Sequence, residues 1–316
     1  MTNTNMLGHF VWHELMTTNT RAAAAFYRKV AAWTTQTSPQ HSSYTEFMAG
    51  GRPAAGLMVL PEPAKAMGAP PNWLTYVATP DVEATVRKAV KMGARVLTQA
   101  TDIPNVGRFA VLQDPHGAVF AAITLLTPPP ASNTPPSIGD FSWHELATTD
   151  GAAAWRFYSR LFGWRNTESM DMGPMGTYQM FGHGGGSVGG MFTKPKEAPG
   201  PAAWVPYIKV TDSKAVAARV AGLGGQVLNG PMEVPGGDWI VMGMDPQGAV
   251  FATHSAKLAA AATKKTPARK RVKAARPAAR KKAATKAPVR PTTRTTARRG
   301  ARKTAGKTAL KTARKK

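Results

Sequence analysis

The 316-residue sequence contains no cysteine, which excludes disulfides and thiolate chemistry and is typical of a reducing compartment. Its longest apolar run, residues 118–126, is shorter than the ~20 residues that a membrane-spanning helix needs. The first ten residues have neither the basic nor the apolar segment of a secretory signal. No nucleophile elbow, phosphate-binding loop or zinc-binding Cys/His pattern occurs. We therefore expect a cytoplasmic protein without membrane insertion.

Acidic residues are absent from the end of the chain. Residues 256–316 hold 23 of the 41 lysines and arginines and none of the 17 acids, so the net charge of +24 belongs almost entirely to this tail. The tail also lacks aromatic residues, and we expect residues 257–316 to be disordered when free. Spaced cations neutralise phosphates and release counterions, which predicts sequence-independent binding of nucleic acid. Anionic membranes, polyphosphate or a purely solubilising role are the alternatives.

The rest of the chain carries one pattern twice, at an offset of 131 residues. Self-similarity at a fixed offset over this length indicates a duplicated domain. We place the first domain at residues 7–127, a proline-rich linker at 128–137, and the second domain at 138–256. The matching segments are Trp12-His13-Glu14-Leu15 with Trp143-His144-Glu145-Leu146, Phe26-Tyr27 with Phe157-Tyr158, Trp33 with Trp164, and Asp114–Phe120 with Asp245–Phe251.

Hydrophobic periodicity predicts the order β-α-β-β followed by β-α-β-β-β in each domain. Asp81 and Asp212 are good N-caps for the second helix of each domain. Apolar residues at helical spacing predict the buried faces of the first repeat's two helices, namely Ala23, Phe26, Tyr27 and Val30, and Val82, Val86, Ala89 and Val90.

This order, the FYxxxxGW form of the first helix and the closing DPxGAxF turn resemble the vicinal oxygen chelate superfamily. That group includes glyoxalases, bleomycin-resistance proteins and extradiol dioxygenases. The resemblance implies an α+β fold of two tandem glyoxalase-like domains. Each would pair two βαβββ-type modules into a curved eight-stranded sheet with an internal cleft, and the two domains would form an intrachain pseudo-dimer. The tail resembles the C-terminal domain of linker histones and bacterial histone-like proteins.

Metal-dependent members of this superfamily have four metal ligands in the cleft, two histidines and two glutamates. A divalent ion needs imidazole or carboxylate donors at nearly all of these positions. By the family register, the ligand positions fall on Trp12 and Trp143, on Leu74 and Val205, on Ala121 and Ala252, and within the acid-free strands Ala54–Leu60 and Val188–Thr193. Because these residues offer no such donor, we expect no metal and no other cofactor.

Strand alternation places Trp12, Glu14 and Met16 on one face and His13 and Leu15 on the other. The family register makes the first face the cleft wall, so Glu14 and Glu145 are the candidate catalytic carboxylates. Burial beside aromatic rings would raise their pKa and suit a general base. Alternatively, each carboxylate is only an acceptor, satisfied by neighbouring backbone or by Tyr76 or Tyr207.

Aromatic side chains predict a partly aromatic or apolar small-molecule ligand, although the rings could simply fill the cleft. The candidate ligand-binding residues are Trp12, Tyr44, Tyr76, Trp143, Tyr178 and Tyr207.

His13 and His144 sit beside Glu14 and Glu145 in sequence and suggest a metal pair. Neighbours on a strand point to opposite faces, so such a pair could chelate one ion only if a β-bulge shifted the register.

Three hypotheses follow. The chain could be a metal-independent ligand-binding protein whose tail binds nucleic acid. It could be a superfamily enzyme, a lyase, isomerase or oxygenase that uses Glu14 or Glu145. It could be a nucleoid-associated protein that uses the repeats for interaction.

Overall fold

A computed structural model describes residues 6–39, 44–129, 134–198 and 200–257 of the chain. Both repeats lie in one compact unit, Met1–Ala262. The predictions for the basic tail concern residues that, apart from Lys257, lie outside the described part of the chain.

The first repeat forms an eight-stranded sheet in the order β2-β3-β4-β1-β5-β8-β7-β6. Strands β1 and β4 are parallel, as are β5 and β8, and the antiparallel pair β1/β5 joins the two halves into one sheet. Each half is thus a βαβββ module. The elements are β1 (Phe10–Thr17), α1 (Thr20–Val30), β2 (Thr34–Thr37), β3 (Thr45–Ala49), β4 (Arg52–Val59), α2 (Glu62–Ala66), β5 (Asn72–Ala78), α3 (Val82–Lys91), β6 (Arg95–Ile103), β7 (Gly107–Gln113) and β8 (Val119–Leu125).

The second repeat has the same topology, β10-β11-β12-β9-β13-β16-β15-β14. Short 3₁₀ turns lie at Gly173–Met175 and Ala221–Leu223. The elements are β9 (Phe141–Thr148), α4 (Gly151–Phe162), β10 (Arg165–Asp171), β11 (Thr177–Gly182), β12 (Gly189–Thr193), β13 (Ala203–Lys209), α5 (Ser213–Val220), β14 (Gln226–Glu233), β15 (Trp239–Met244) and β16 (Val250–Ser255). The predicted class of two tandem, sheet-rich α+β domains is confirmed.

Sequence periodicity missed one strand in each repeat. The edge strands β2 and β10 are polar and almost entirely exposed, so neither has the alternation that marks a half-buried strand. The short helix α2 was missed too, and Val90 is 48% exposed rather than buried. The second helix of each repeat begins where expected, because Asp81 and Asp212 each accept a hydrogen bond from a first-turn amide. Asn19 and Asp150 cap the first helices in the same way.

The hydrophobic cores behind the sheets cross between the repeats. One core combines the second module of repeat 1 with the first module of repeat 2, and the other core combines the two remaining modules. The helix tyrosines join these cores, since Tyr27 donates to Asp245 (3.2 Å) and Tyr158 donates to Asp114 (2.9 Å). Each aspartate belongs to the DPxGAxF turn of the opposite repeat.

The duplicated tryptophans also cross the interface. The indole of Trp33 donates to the carbonyl of Gly139 (2.9 Å), and that of Trp164 donates to the carbonyl of Gly8 (2.8 Å). Both glycines have positive φ, and a Cβ on either would lie 3.0 Å or less from the partner indole. The motifs that marked the repeat in the sequence therefore largely form the interface between the two repeats. The two repeats pack against each other as the subunits of a dimer would.

No helix in the described part of the chain has the length and apolar character needed to cross a membrane.

Candidate functional site

The inner face of each sheet is the face opposite the helices, and in repeat 1 it carries a cluster around Glu14. Tyr44 donates its hydroxyl to Glu14 Oε1 (2.6 Å), and Tyr76 donates to Oε2 (2.9 Å). The indole of Trp12 donates to the Tyr44 hydroxyl (3.0 Å). We call these four residues cluster 1. Pairing of β1 with β5 places Trp12 opposite Tyr76, which positions two members.

Repeat 2 has the same arrangement around Glu145, here called cluster 2. Tyr178 donates to Glu145 Oε2 (2.9 Å), and Tyr207 donates to Oε1 (3.0 Å). The indole of Trp143 donates to the Tyr178 hydroxyl (2.9 Å). All eight residues proposed from sequence therefore come together as two matched groups of four.

Two glycines make room for these clusters. Gly56 in β4 lies opposite Glu14, and a Cβ there would be 1.8 Å from the Tyr44 hydroxyl. Gly190 in β12 lies opposite Glu145, and its Cβ would be 2.2 Å from the Tyr178 ring. Sequence reasoning missed both glycines, although a glycine inside a strand often marks a place where another group lies close to the backbone.

Burial sets the protonation of the clusters. Desolvation raises the pKa of Glu14 and Glu145, although the hydrogen bonds from the tyrosines oppose this shift. Desolvation and the adjacent carboxylate raise the pKa of the paired tyrosines, so their hydroxyls stay protonated and act as donors. Each carboxylate oxygen keeps a lone pair beyond its tyrosine contact. A ligand O–H or N–H can therefore still bind to it.

The donor set of cluster 1 does not fit a divalent ion. Its only carboxylate is Glu14, and the positions that the family register assigns to metal ligands carry Trp12, Leu74 and Ala121. The equivalent inner-face residues of repeat 2 are Trp143, Val205 and Ala252. Among the described residues, no group of three or more His, Cys, Asp or Glu side chains is arranged to hold a metal ion.

The structure separates His13 from Glu14. The bulge in the β1/β5 pairing falls at Val11, before this pair, and His13 faces the repeat interface. There its Nε2 lies 2.9 Å from Nε2 of His144, and both rings are buried. The two histidines of the duplicated motif thus pair with each other and not with the neighbouring glutamates.

A surface cavity of about 200 Å³ lies away from both clusters. Residues of α1 and the start of α5 line it, among them Val30, Asp212 and Val216. Neither cluster contributes a residue to it.

Comparison with known proteins gives matches over both repeats. Residues 12–123 and 143–254 each match the family model described as a glyoxalase-like domain. The Mycobacterium tuberculosis protein called "Putative glyoxylase CFP32" is 32% identical over 252 residues, covering 76% of this chain and 92% of that protein. The anthracycline biosynthesis protein DnrV of Streptomyces peucetius is 29% identical, over 76% of this chain and 90% of that protein.

Solved structures share the fold at low sequence identity. The Mn(II)-bound glyoxalase from Novosphingobium aromaticivorans superposes with a TM-score of 0.55 at 14% identity. The superposition covers 79% of this chain and 82% of that one. At this identity the likeness concerns the architecture alone.

Proposed function

Because the chain belongs to the glyoxalase-like domain family and carries two copies of the domain, we propose that each copy binds a small, partly aromatic ligand. The ligand would lie on the inner face of the sheet, against cluster 1 or cluster 2. Binding there would not use the divalent ion of the metal-dependent relatives.

One observation carries this proposal, namely the repetition of the whole cluster after 131 residues. A carboxylate, two tyrosine hydroxyls and an indole keep the same hydrogen bonds in both repeats. Burying a carboxylate on an apolar face is costly, and among the described residues neither repeat pairs it with a cation there, so its retention in both repeats favours a binding role. The name of one relative, the anthracycline biosynthesis protein DnrV, supports an aromatic ligand.

The ligand class follows from the chemistry of the cluster. Indole and phenol rings favour a flat apolar body, and the carboxylate favours a hydroxyl or amide donor on that body. An aromatic ring that bears a hydroxyl group meets both requirements.

We expect 1-naphthol, used as a probe, to bind at two sites per chain in isothermal titration calorimetry. The double variant Glu14→Gln/Glu145→Gln should bind it roughly tenfold more weakly, because a charged acceptor becomes a neutral one. Ser187→Ala, at a half-buried site in the β11–β12 loop, is the matched control. Unchanged affinity in the double variant would contradict the site assignment.

The same preparation tests the metal-free part of the proposal. Elemental analysis should find well below one metal ion per repeat, and chelator treatment should leave naphthol binding unchanged. A stoichiometric ion that disappears in Glu14→Ala would refute the metal-free part of the proposal. It would not refute the proposal that a ligand binds at cluster 1.

The raised pKa of Glu14 and Glu145 favours one alternative function, proton transfer by a lyase or isomerase. The carboxylate would remove a proton from a carbon acid bound against the indole. This alternative predicts turnover that follows the ionisation of Glu14, whereas simple binding predicts none.

We also propose that the basic tail binds nucleic acid without sequence preference, which would place the protein at the nucleoid. The support is compositional, since residues 256–316 carry 23 cations and no acid. In filter binding with random duplex DNA, the full chain should bind with an affinity that falls steeply with salt. A 1–262 truncation, which keeps the compact unit, should lose this binding. Equal affinity of the truncation would refute the role of the tail.

A further inference from the structure

Repeat 2 contains a hydrogen-bonded relay of a serine, a histidine and an aspartate. The Ser142 hydroxyl lies 2.9 Å from Nδ1 of His254. Nε2 of the same ring lies 2.8 Å from Oδ2 of Asp238. The other oxygen of Asp238 accepts a hydrogen bond from the Lys257 backbone amide (3.0 Å), which holds the carboxylate in place. We call these three side chains the relay.

The partners decide where the protons sit. Partial burial works to raise the pKa of Asp238, but hydrogen bonds from His254 and the Lys257 amide outweigh it and leave the pKa lowered. An ionised Asp238 can only accept, so Nε2 of His254 carries a hydrogen. When the ring carries only that hydrogen, Nδ1 presents its lone pair to Ser142. The Ser142 hydroxyl lies 2.9 Å from Nδ1 and 3.4 Å from the carbonyl oxygen of Tyr207, so Nδ1 is the nearer acceptor. This is the proton arrangement of an activated serine nucleophile.

The relay lies on the same face of the sheet as cluster 2. His254 follows Val250 and Ala252 at two-residue spacing along β16, and these two face the inner side. Ser142 occupies the register shift of the β9/β13 pairing, between Phe141 and Trp143. A bulge of this kind re-aims a side chain and is frequent beside active sites.

Only repeat 2 has the relay. The residues 131 positions earlier are Val11, Ile123 and Gly107, none of which ionises or acts as a nucleophile. Val11 and Ile123 belong to the apolar inner-face group of repeat 1. The two repeats keep the same carboxylate cluster, and they differ in chemistry at this position.

Solvent reaches the relay. The side chains of His254 and Asp238 are 21% and 37% exposed, and Ser142 is half-buried. A molecule entering from solvent would therefore meet the serine without unfolding of the sheet.

We propose that the relay is a nucleophilic site for acyl transfer, with Ser142 as nucleophile, His254 as general base and Asp238 as its positioning residue. Ser142 gives its proton to Nδ1 of His254 while Oγ bonds to the carbonyl carbon of a carboxylic ester. The ester C–O bond breaks, the alcohol leaves with the proton from His254, and an acyl-serine remains. Water then attacks the acyl carbon and gives one proton to Nδ1 of His254. The bond between the acyl carbon and Oγ breaks, His254 returns that proton to Oγ of Ser142, and a carboxylic acid is released.

The surroundings indicate the ester class. Neighbouring inner-face side chains are apolar, including Ile240 and Met242 of β15. An ester with a short aliphatic or aromatic acyl group would fit this surface better than a charged one.

The test is labelling of the full chain with an alkyl fluorophosphonate, which forms a phosphorus–oxygen bond with an activated serine and releases fluoride. Intact mass spectrometry should show one adduct per chain, and peptide mapping should place it on Ser142. Ser142→Ala should abolish the adduct, and His254→Gln should slow labelling by roughly 10²–10⁴-fold, the usual contribution of a general base. Asp238→Asn should also slow it, because it favours the wrong tautomer. Ser187→Ala is the control that should label normally.

Hydrolysis of p-nitrophenyl butyrate provides a second readout, measured against Ser142→Ala to subtract the reaction with tail lysines. Urea unfolding midpoints establish that each variant folds. Labelling at full rate in a folded His254→Gln, or no adduct at Ser142 under conditions that label chymotrypsin, would overturn the proposal. Naphthol binding involves other residues, so either proposal can fail without the other.

Discussion

Replacing Gly56 with alanine should lower the free energy of unfolding by about 2–4 kcal/mol, a range that combines overpacking with the loss of a hydrogen bond to a buried charge. The new methyl group would lie 1.8 Å from the Tyr44 hydroxyl and 2.7 Å from its Cζ. Tyr44 must then leave, and it is held by Glu14 and Trp12. Glu14, only 7% exposed, would keep one of its two tyrosine donors.

Urea denaturation followed by circular dichroism measures this loss. A double-mutant cycle makes the test specific, because Gly56→Ala should cost much less in a Tyr44→Ala background, where the ring is absent and the nearest remaining atom is Glu14 Oε1 at 3.1 Å. Gly222→Ala is the matched control, since nothing lies within 4 Å of its Cβ position and its φ is ordinary. Equal destabilisation by Gly56→Ala in both backgrounds would show that cluster 1 is not the cause.

Acidification should weaken the repeat interface through His13 and His144. Their rings lie between Phe10, which stacks on His144 at 3.6 Å, and Phe141, which stacks on His13 at 3.8 Å. Nδ1 of His144 donates to the Val188 carbonyl (3.1 Å), so its Nε2 accepts from His13. Desolvation lowers the pKa of His144 to about 3 despite that carbonyl. Desolvation, followed by the charge of His144, lowers the pKa of His13 well below its usual value.

The sign follows from proton linkage. The pKa of His144 is about 3 in the folded chain and near 6.5 in the unfolded chain. At pH values between these two, the unfolded chain therefore binds more protons than the folded chain. The stability contribution is complete above pH 6.5 and is lost as the pH falls from there towards 3. At pH 5, the contribution of His144 alone should lower the free energy of unfolding by about 2 kcal/mol relative to neutral pH. Glu14 and Glu145 act in the opposite direction, since their raised pKa adds stability on acidification.

Urea unfolding between pH 7.5 and 5 measures the net slope. The double variant His13→Leu/His144→Leu removes both partners together and should flatten the histidine part of the slope. Gly222→Ala, which changes no ionisable group and meets no atom within 4 Å, should leave the slope unchanged. If the double variant keeps the slope of the original chain, the histidine pair does not account for the acid sensitivity.

Several features were predictable from sequence because they depend on neighbours along the chain. The fixed offset of 131 residues revealed the duplication, and the carboxylates of Asp81 and Asp212 ahead of apolar periods located the start of the second helix in each repeat. Strand alternation separated His13 from Glu14 and placed Trp12 with Glu14 on one face. The edge strands β2 and β10 were not predicted, because they are exposed on both faces and therefore have no alternation of apolar and polar residues.

Other features depend on which distant segments meet. The Phe-Tyr pairs read as ordinary core residues, yet the Tyr27 and Tyr158 hydroxyls reach aspartates of the opposite repeat. Nothing near Ser142 in the sequence indicates His254, which lies 112 residues away. The sequence by itself determined the repeat, the order of elements apart from β2, β10 and α2, and the neighbours that share a strand face with each glutamate. Only the tertiary structure decided which side chains the glutamates, histidines and Ser142 contact, because those contacts arise from sheet pairing and from packing of one repeat against the other.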